Sequence, residues 1–469
     1  MKRLLNCRRS IGRTAAAITA CGLLLCQSPV QAGGPIRVGG ATFGIQGQPF
    51  VWDPAAMPVK YRVDPGPLSK RPDGTVVIDH AAGVARVKSL FDTWQNVPTA
   101  AISYGNIGDI LPAPPYTGGP VGTAQNFIAV FASCDAGTQS PIIFDADGSI
   151  FGGLGLPRGV IGFAGACKLD PVNGRFVSGL AALNGRFQDG FSVPQLTAAE
   201  FDQAFAHEFG HFSGLDHSQI NVNVLSGQPR ACNLDDLAGL PLMFPILFCQ
   251  ARSAAGLPVL APDDMAWISR LYPVTGSPPP GKTLTSSAYG TISGTVFFTD
   301  GITQAQGVNV IAREVGNPRR MAGSVVSGYQ FTANLGQSVT CTNPANPTPQ
   351  TCTNLNGSQF GSRDPRKIGT YDIPVPPGTY TLEVESVFFA FVGGSSVGPL
   401  RVPIPNPGRD MTLPNNVTVA AGQTASGNDF VLQGTPARFD SFESARNSWR
   451  EPLPLWQRRE ELLAEWVAA

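Results

Sequence analysis

The chain has 469 residues, enough for more than one domain, and its 33 basic and 33 acidic residues balance. Only 14% of the residues are charged, while 54 glycines and 42 prolines favour turns and short strands over long helices. No basic face of the kind a nucleic acid demands is encoded, and beyond the N-terminus no run is apolar enough for stable membrane insertion.

Residues 1–32 read as a secretory signal. The stretch holds five basic residues and no acid, all five before the apolar run "TAAAITACGLLLC", and "SPVQA" offers small residues for cleavage after Ala32. "RRSIGR" has some twin-arginine character and "ITAC" some lipoprotein-box character, so two variants of export stay open. The remainder is net acidic and is expected to be secreted, periplasmic or on the cell surface. It keeps six cysteines, Cys134, Cys167, Cys232, Cys249, Cys341 and Cys352, an even number suited to disulfides in an exported chain. Sequential pairing would close short local loops.

Residues 33–55 form an extended lead-in, and 56–275 a first domain. Within it, 76–97 reads as a helix, because Val84, Val87, Leu90, Phe91 and Trp94 recur at three- and four-residue steps. "AISY" and "NFIAVFASC" are short apolar runs between Gly and Pro and read as strands. "PIIFDADGSI", a Gly-rich stretch and "RFVSGLAALNG" follow. A second helix runs through "TAAEFDQAFAHEFGHFSGL", where Thr197 and Glu200 make a capping box. A third, 261–273, closes the domain, with acids in its first turn and Pro273 as its stop. Residues 276–287 are linker-like. From 288 to 433 alternating β-type runs separated by Gly, Pro and Asn turns suggest an all-β sandwich. Residues 434–469 form a C-terminal tail that could carry a short helix.

Three of the four histidines in the chain fall in "HEFGHFSGLDH". Positions four apart share a helix face, so His207 and His211 can bind one metal. Glu208 can then reach a water on that metal without being a ligand. Gly214 lets the chain leave the helix, since glycine takes positive φ cheaply, and His217 returns as a third ligand. Three protein ligands leave an open position on zinc, as in catalytic sites. Glu208 would act as the general base, moving a proton from water to the leaving amine. The fourth histidine, His80, lies on the first helix and reads as a surface or core residue.

The extended pattern H-E-x-x-H-x-x-G-x-x-H resembles the zinc motif of the metzincins, and Ser218 after the third His resembles the matrixin branch. "PLMFP" resembles the family's methionine turn, making Met243 its candidate. "DDMAWISRLYP" and "AGVARVKSLFDTWQNV" resemble the closing and opening helices. The resemblance covers about residues 50–273 and implies an α+β fold: a zinc protease domain of mixed sheet and active-site helix, then the sandwich. It implies a secreted zinc endopeptidase acting on protein or peptide substrates. "FDADGSIFGG" falls where matrixins bind calcium, so Asp145 and Asp147 are candidate calcium ligands. The C-terminal module resembles carboxypeptidase regulatory-like sandwiches, which serve as spacers or bind a surface or matrix ligand. The competing reading is a surface adhesin or matrix-binding protein with a vestigial zinc site. Glu208 separates the two, because a binding protein has no use for a general base there.

Overall fold

The computed structural model describes residues 34–39, 47–221, 234–245, 247, 250–302, 304–305, 307–330, 338–343, 346–353, 365–385 and 411–433. The expected signal, Cys232, Cys249 and the tail 434–469 lie outside the described residues.

In chain order the first part comprises β1 (Val51–Trp52), β2 (Val59–Val63), β3 (Ser69–Lys70), β4 (Val76–Ile78), α1 (His80–Gln95), β5 (Tyr104–Asp109), α2 (Ala124–Asp135), β6 (Pro141–Asp145), α3 (Ser149–Gly153), β7 (Gly162–Asp170), β8 (Arg175–Asn184), α4 (Ala198–Phe212), α5 (Leu234–Ala238), α6 (Pro262–Leu271) and α7 (Thr285–Ala288). Five strands form a parallel sheet in the order β1-β8-β6-β2-β5, and β7 runs antiparallel along β8.

Side chains alternate across a sheet, so one strand can feed two cores. Ile142 and Phe144 of β6 and Ala181 and Leu183 of β8 pack with Phe91 and Trp94 of α1 and Phe205 and Phe209 of α4. Their alternates, Ile143, Leu180 and Ala182, pack with Phe127 and Val130 of α2 on the other face. Both faces are thus covered, which is why these strands read as continuous apolar runs. Each fully buried large side chain contributes roughly 1.5–3 kcal/mol.

That double coverage corrects one sequence expectation. "NFIAVFASC" is not a strand; it is most of α2. The Thr123 hydroxyl accepts the Asn126 N–H at 3.2 Å and starts the helix. Phe127, Val130 and Cys134 then share its buried face at helical spacing. A short apolar run does not distinguish a buried strand from a buried helix, and the cap decides it. "AISY" also shifts, since the strand begins only at its last residue, Tyr104, and continues through Asp109. The expected helices at 76–97, 197–215 and 261–273 are present as α1, α4 and α6, with Asp79 capping α1 after the short strand β4.

The second part holds β9 (Gly290–Phe297), β10 (Asn309–Glu314), β11 (Ala322–Val326), β12 (Ser338–Asn343), β13 (Asn346–Thr353), β14 (Thr370–Val375), β15 (Gly378–Glu385), β16 (Met411–Thr412), β17 (Val417–Val419), β18 (Thr424–Ala425) and β19 (Phe430–Val431). One sheet has the order β11-β10-β15-β16, with β17 also on β15; the other has β14-β9-β18, with β19 also on β9. The chain is therefore a mixed α and β protein with several sheets; its α-helices among the described residues lie in the first part, and the described second part is built mainly of strands. Val310, Ala312, Val325, Ile373 and Leu382 fill the space between the two sheets and belong to the same apolar cluster as Trp267 and Ile268 of α6.

The stretch 276–287 is strapped to the first part. Lys282 Nζ donates to the Gln95 and Val97 carbonyls at the end of α1, the Thr283 N–H to Pro98 O at 2.8 Å, and the Thr285 hydroxyl to Thr99 O at 2.6 Å. Among the described residues no helix is long and apolar enough to cross a membrane.

Candidate metal centre

Helix α4 is specified at both ends. The Thr197 hydroxyl accepts the Glu200 N–H at 3.3 Å, and Glu200 Oε2 accepts the Thr197 N–H at 2.8 Å, which is the capping box its sequence announces. Phe201, Phe205, Phe209 and Phe212 form its apolar face, all at 0% exposure, so the helix cannot rotate without uncovering them. At its C-terminus Gly214 takes φ +96° and turns the chain. The last carbonyls find donors: Trp52 Nε1 donates to Phe212 O at 2.8 Å and the Tyr272 hydroxyl to Ser213 O at 2.6 Å. The lead-in adds an antiparallel bridge between Pro35 and Leu215, with the Ile36 N–H donating to Gly214 O at 2.8 Å.

These constraints bring His207, His211 and His217 together. Their three Nε2 atoms lie 3.1 Å from one another. His207 Nδ1 is 2.8 Å from Leu242 O and His211 Nδ1 is 2.9 Å from Leu215 O. A carbonyl only accepts, so both Nδ1 atoms carry hydrogen, and in a neutral imidazole Nε2 is then bare. Burial keeps the rings neutral, holding His207 down to about 4, His211 to about 3 and His217 well below the usual value, with the neighbouring imidazoles adding to it for the last two. The close approach of His207 Nε2 to His211 Nε2 is therefore two facing lone pairs, and not a hydrogen bond. A cation among the three removes that repulsion. Tetrahedral nitrogens bound at about 2.0–2.1 Å stand about 3.3 Å apart, close to the spacing seen. Among the described residues these three histidines are the one His/Cys/Asp/Glu group able to hold a metal ion.

Glu208 lies beside them, half-buried on α4. Burial lifts its carboxyl to about 8, and a hydrogen bond from the Ala164 backbone of β7 pulls it back. The edge strand thus reaches the one acid at the centre. A cation alongside would favour the carboxylate further.

Met243 sits beneath α4. It is 2% exposed, and a Cβ at Gly210 would overlap its sulfur. Its backbone joins the site from below: the Ser218 N–H donates to Met243 O at 2.7 Å, while the preceding Leu242 O holds His207. Sequence reasoning did not single out Asp264, whose carboxylate accepts the N–H groups of Leu242, Met243 and Ala261 at 2.8, 3.0 and 2.7 Å. The acids in the first turn of α6 were its visible signal.

Asp145 and Asp147 are elsewhere and otherwise engaged. Asp145 accepts the Ile150 and Phe151 N–H groups at 3.0 and 2.8 Å and so caps α3, and Asp147 meets Lys70 Nζ at 3.0 Å. The nearby Cys134–Cys167 disulfide ties the end of α2 to β7. It is the first of the three sequential pairs; in the third, the backbone register sets Cys341 opposite Gln350 and Cys352 opposite Val339. His80 opens α1 with Nε2 3.5 Å from the Asp109 carboxylate, away from the other three.

No family model matches the chain, and no curated protein matches it. Among solved structures, a leucine-rich repeat protein from Bacteroides thetaiotaomicron VPI-5482 is similar over 36% of this chain and 17% of its own, at 13% identity and a TM-score of 0.15. So slight a likeness bears on neither fold nor function.

Proposed function

We propose that the protein is an exported zinc-dependent endopeptidase of the metzincin type, matrixin-like in its first part. The observation that carries this reading is the triangle of imidazole nitrogens 3.1 Å apart, two of them bare, with Glu208 on the same helix as those two. Three neutral nitrogen donors suit zinc, and a fourth position left open suits catalysis. When bound, zinc supplies Lewis acidity, acidifying a water and polarising the scissile carbonyl. Glu208 takes the water's proton and returns it to the leaving amine. Leu242 and Leu215 fix two of the rings through their Nδ1–H groups, so the donors are oriented in advance.

Strand β7 supports the reading of a protein or peptide substrate. Among the described residues this strand pairs on one side only, with β8, and its backbone at Ala164 touches Glu208. An extended peptide can add to such an edge by main-chain hydrogen bonds, which sets its scissile bond beside the metal. The Cys134–Cys167 disulfide anchors the strand while it binds.

The test is cleavage of quenched casein and a mixed peptide library by the mature protein beside Glu208→Ala, with zinc content measured in both. The expected result is a loss of activity of about 10²–10⁴-fold in the variant with zinc retained. Equal activity in the two proteins would overturn the assigned role of Glu208. Zinc bound in both with no cleavage in either would favour the adhesin reading.

A further inference from the structure

We propose that strand β10 of the C-terminal sandwich is a positioning element for the metal centre, holding the third ligand, His217, through Asn309 and Arg313; this rests on the metallopeptidase reading above.

The three histidines are not held alike. His207 and His211 ride on α4, whose caps and phenylalanine face fix them within the first part of the chain. His217 stands on a non-helical segment, and the residues that follow it, Ser218, Gln219, Ile220 and Asn221, are 0–1% exposed. Part of what covers them comes from the sandwich. Asn309 Nδ2 donates to Gln219 O at 3.2 Å, and Arg313 Nη1 donates to Asn221 Oδ1 at 2.9 Å. Ile220 packs between them on Ile311 and Ala322. Asn309, Ile311 and Arg313 are alternate residues of one strand, so a single face of β10 makes all three contacts. The opposite face, Val310 and Ala312, fills the sandwich core.

Two features indicate that this face holds the segment firmly. Arg313 is itself fixed, with Nε 2.6 Å from Glu383 and Nη2 2.6 Å from Glu385 on the adjacent strand β15. Only Nη1 remains to be aimed, so it meets Asn221 with little entropy left to lose. Asn221 is the one non-glycine among the described residues with positive φ, at 60°. Its Nδ2 donates to Gly239 O at 2.6 Å, so the same side chain is gripped from both parts of the chain. A left-handed asparagine persists where its surroundings determine it. The other end of the segment is tied to Met243 O through the Ser218 N–H. His217 thus stands a few residues from two anchors, one in each part, and Leu215 O, which orients His211, lies just before it.

The test uses the full chain loaded with zinc, and separately with cobalt(II) for its visible spectrum. Arg313→Gln and Asn309→Ala are compared with Arg270→Gln. Arg270 pairs with Asp372 and Thr291 across the same two parts but touches nothing in 217–221. The expected result is metal transfer to a chromogenic chelator at least tenfold faster in the first two variants, with an altered cobalt band. Arg270→Gln should match wild type in both readouts even if its melting temperature falls. Arg313→Lys should restore part of the retention. Wild-type release rates in both β10 variants, or equal acceleration in all three, would overturn the proposal, because the sandwich would then act on overall stability alone. If Arg313→Gln does not fold, Asn309→Ala decides, since it leaves the Arg313 ion pairs intact. A wild-type protein that takes up no metal would overturn the metallopeptidase reading itself, an outcome distinct from the others.

Discussion

Asp264 holds Met243: the carboxylate on α6 accepts the Met243 N–H at 3.0 Å and, with its other oxygen, the Leu242 N–H at 2.8 Å. Since Leu242 O in turn fixes His207, a residue more than fifty positions downstream of this histidine sets its ring. Replacing Asp264 with Ala strands three buried donors. Each unmade bond of this kind costs about 1–3 kcal/mol, so a loss of at least about 3 kcal/mol in urea unfolding is expected, together with weaker zinc retention. A variant as stable as wild type would show that the turn holds itself.

Gly210 and Met243 should be coupled. A Cβ at position 210 would overlap the methionine sulfur and come within 2.8 Å of Trp94. Alanine favours a helix interior over glycine by about 1 kcal/mol, yet overpacking costs about 1–3 kcal/mol. Gly210→Ala is therefore expected to destabilise, and Gly210→Ala with Met243→Ala to be less damaging than the sum of the two single changes. A double-mutant cycle with no coupling would show that the two side chains do not press on each other.

Asp64 should give the protein a measurable pH signature. It is 1% exposed, and burial raises its carboxyl to about 6 although the N–H groups of Gly66, Phe144 and Val121 pull the other way. The folded chain holds this proton more tightly than the unfolded chain, where the carboxyl titrates near 3.8. Its contribution is most favourable below about 4 and is lost as the pH rises through about 6. Asp64→Asn does not titrate, so it should gain on wild type between pH 4 and 7 by up to about 3 kcal/mol. Taking the difference between the two proteins cancels the histidines. A pH-independent difference in unfolding free energy would count against the shift.

Calcium is expected to leave the melting temperature unchanged. Both oxygens of Asp145 already accept backbone N–H groups, and Asp147 is paired with Lys70. A saturable rise in melting temperature with millimolar calcium would mean that the ion displaces these partners.

Opening the Cys134–Cys167 bridge should cost about 3–4 kcal/mol, from the 33-residue separation it closes. Denaturation of Cys134→Ser with Cys167→Ser reads this directly. The edge strand β7 is the element expected to loosen first, visible as faster amide exchange at Gly162–Asp170.

The parts that were legible in the sequence are those whose signal is local. The cap at Thr197, the spacing of the histidines and the exit at Gly214 all fall within one short window, and helix geometry alone joins them. Met243 needed a family resemblance to be noticed, because nothing around "PLMFP" declares which helix it will meet. "NFIAVFASC" misled because a sheet covered on both faces lets apolar character spread through strands and helices alike. Asn309 and Arg313 were beyond sequence reasoning. "NVIARE" reads as any strand, and the partner of Arg313 lies 92 residues earlier.

That separation has a consequence for the order in which the protein is made. Synthesis delivers His207, His211, His217 and Glu208 well before Asn309 and Arg313, so a partly emerged chain holds every donor atom but not the wall that steadies the last of them. Such long-range closures are slow relative to helix formation. The three-histidine centre would then be steadied only once the later strands fold against it, so its grip on a metal would trail the arrival of its last donor atom.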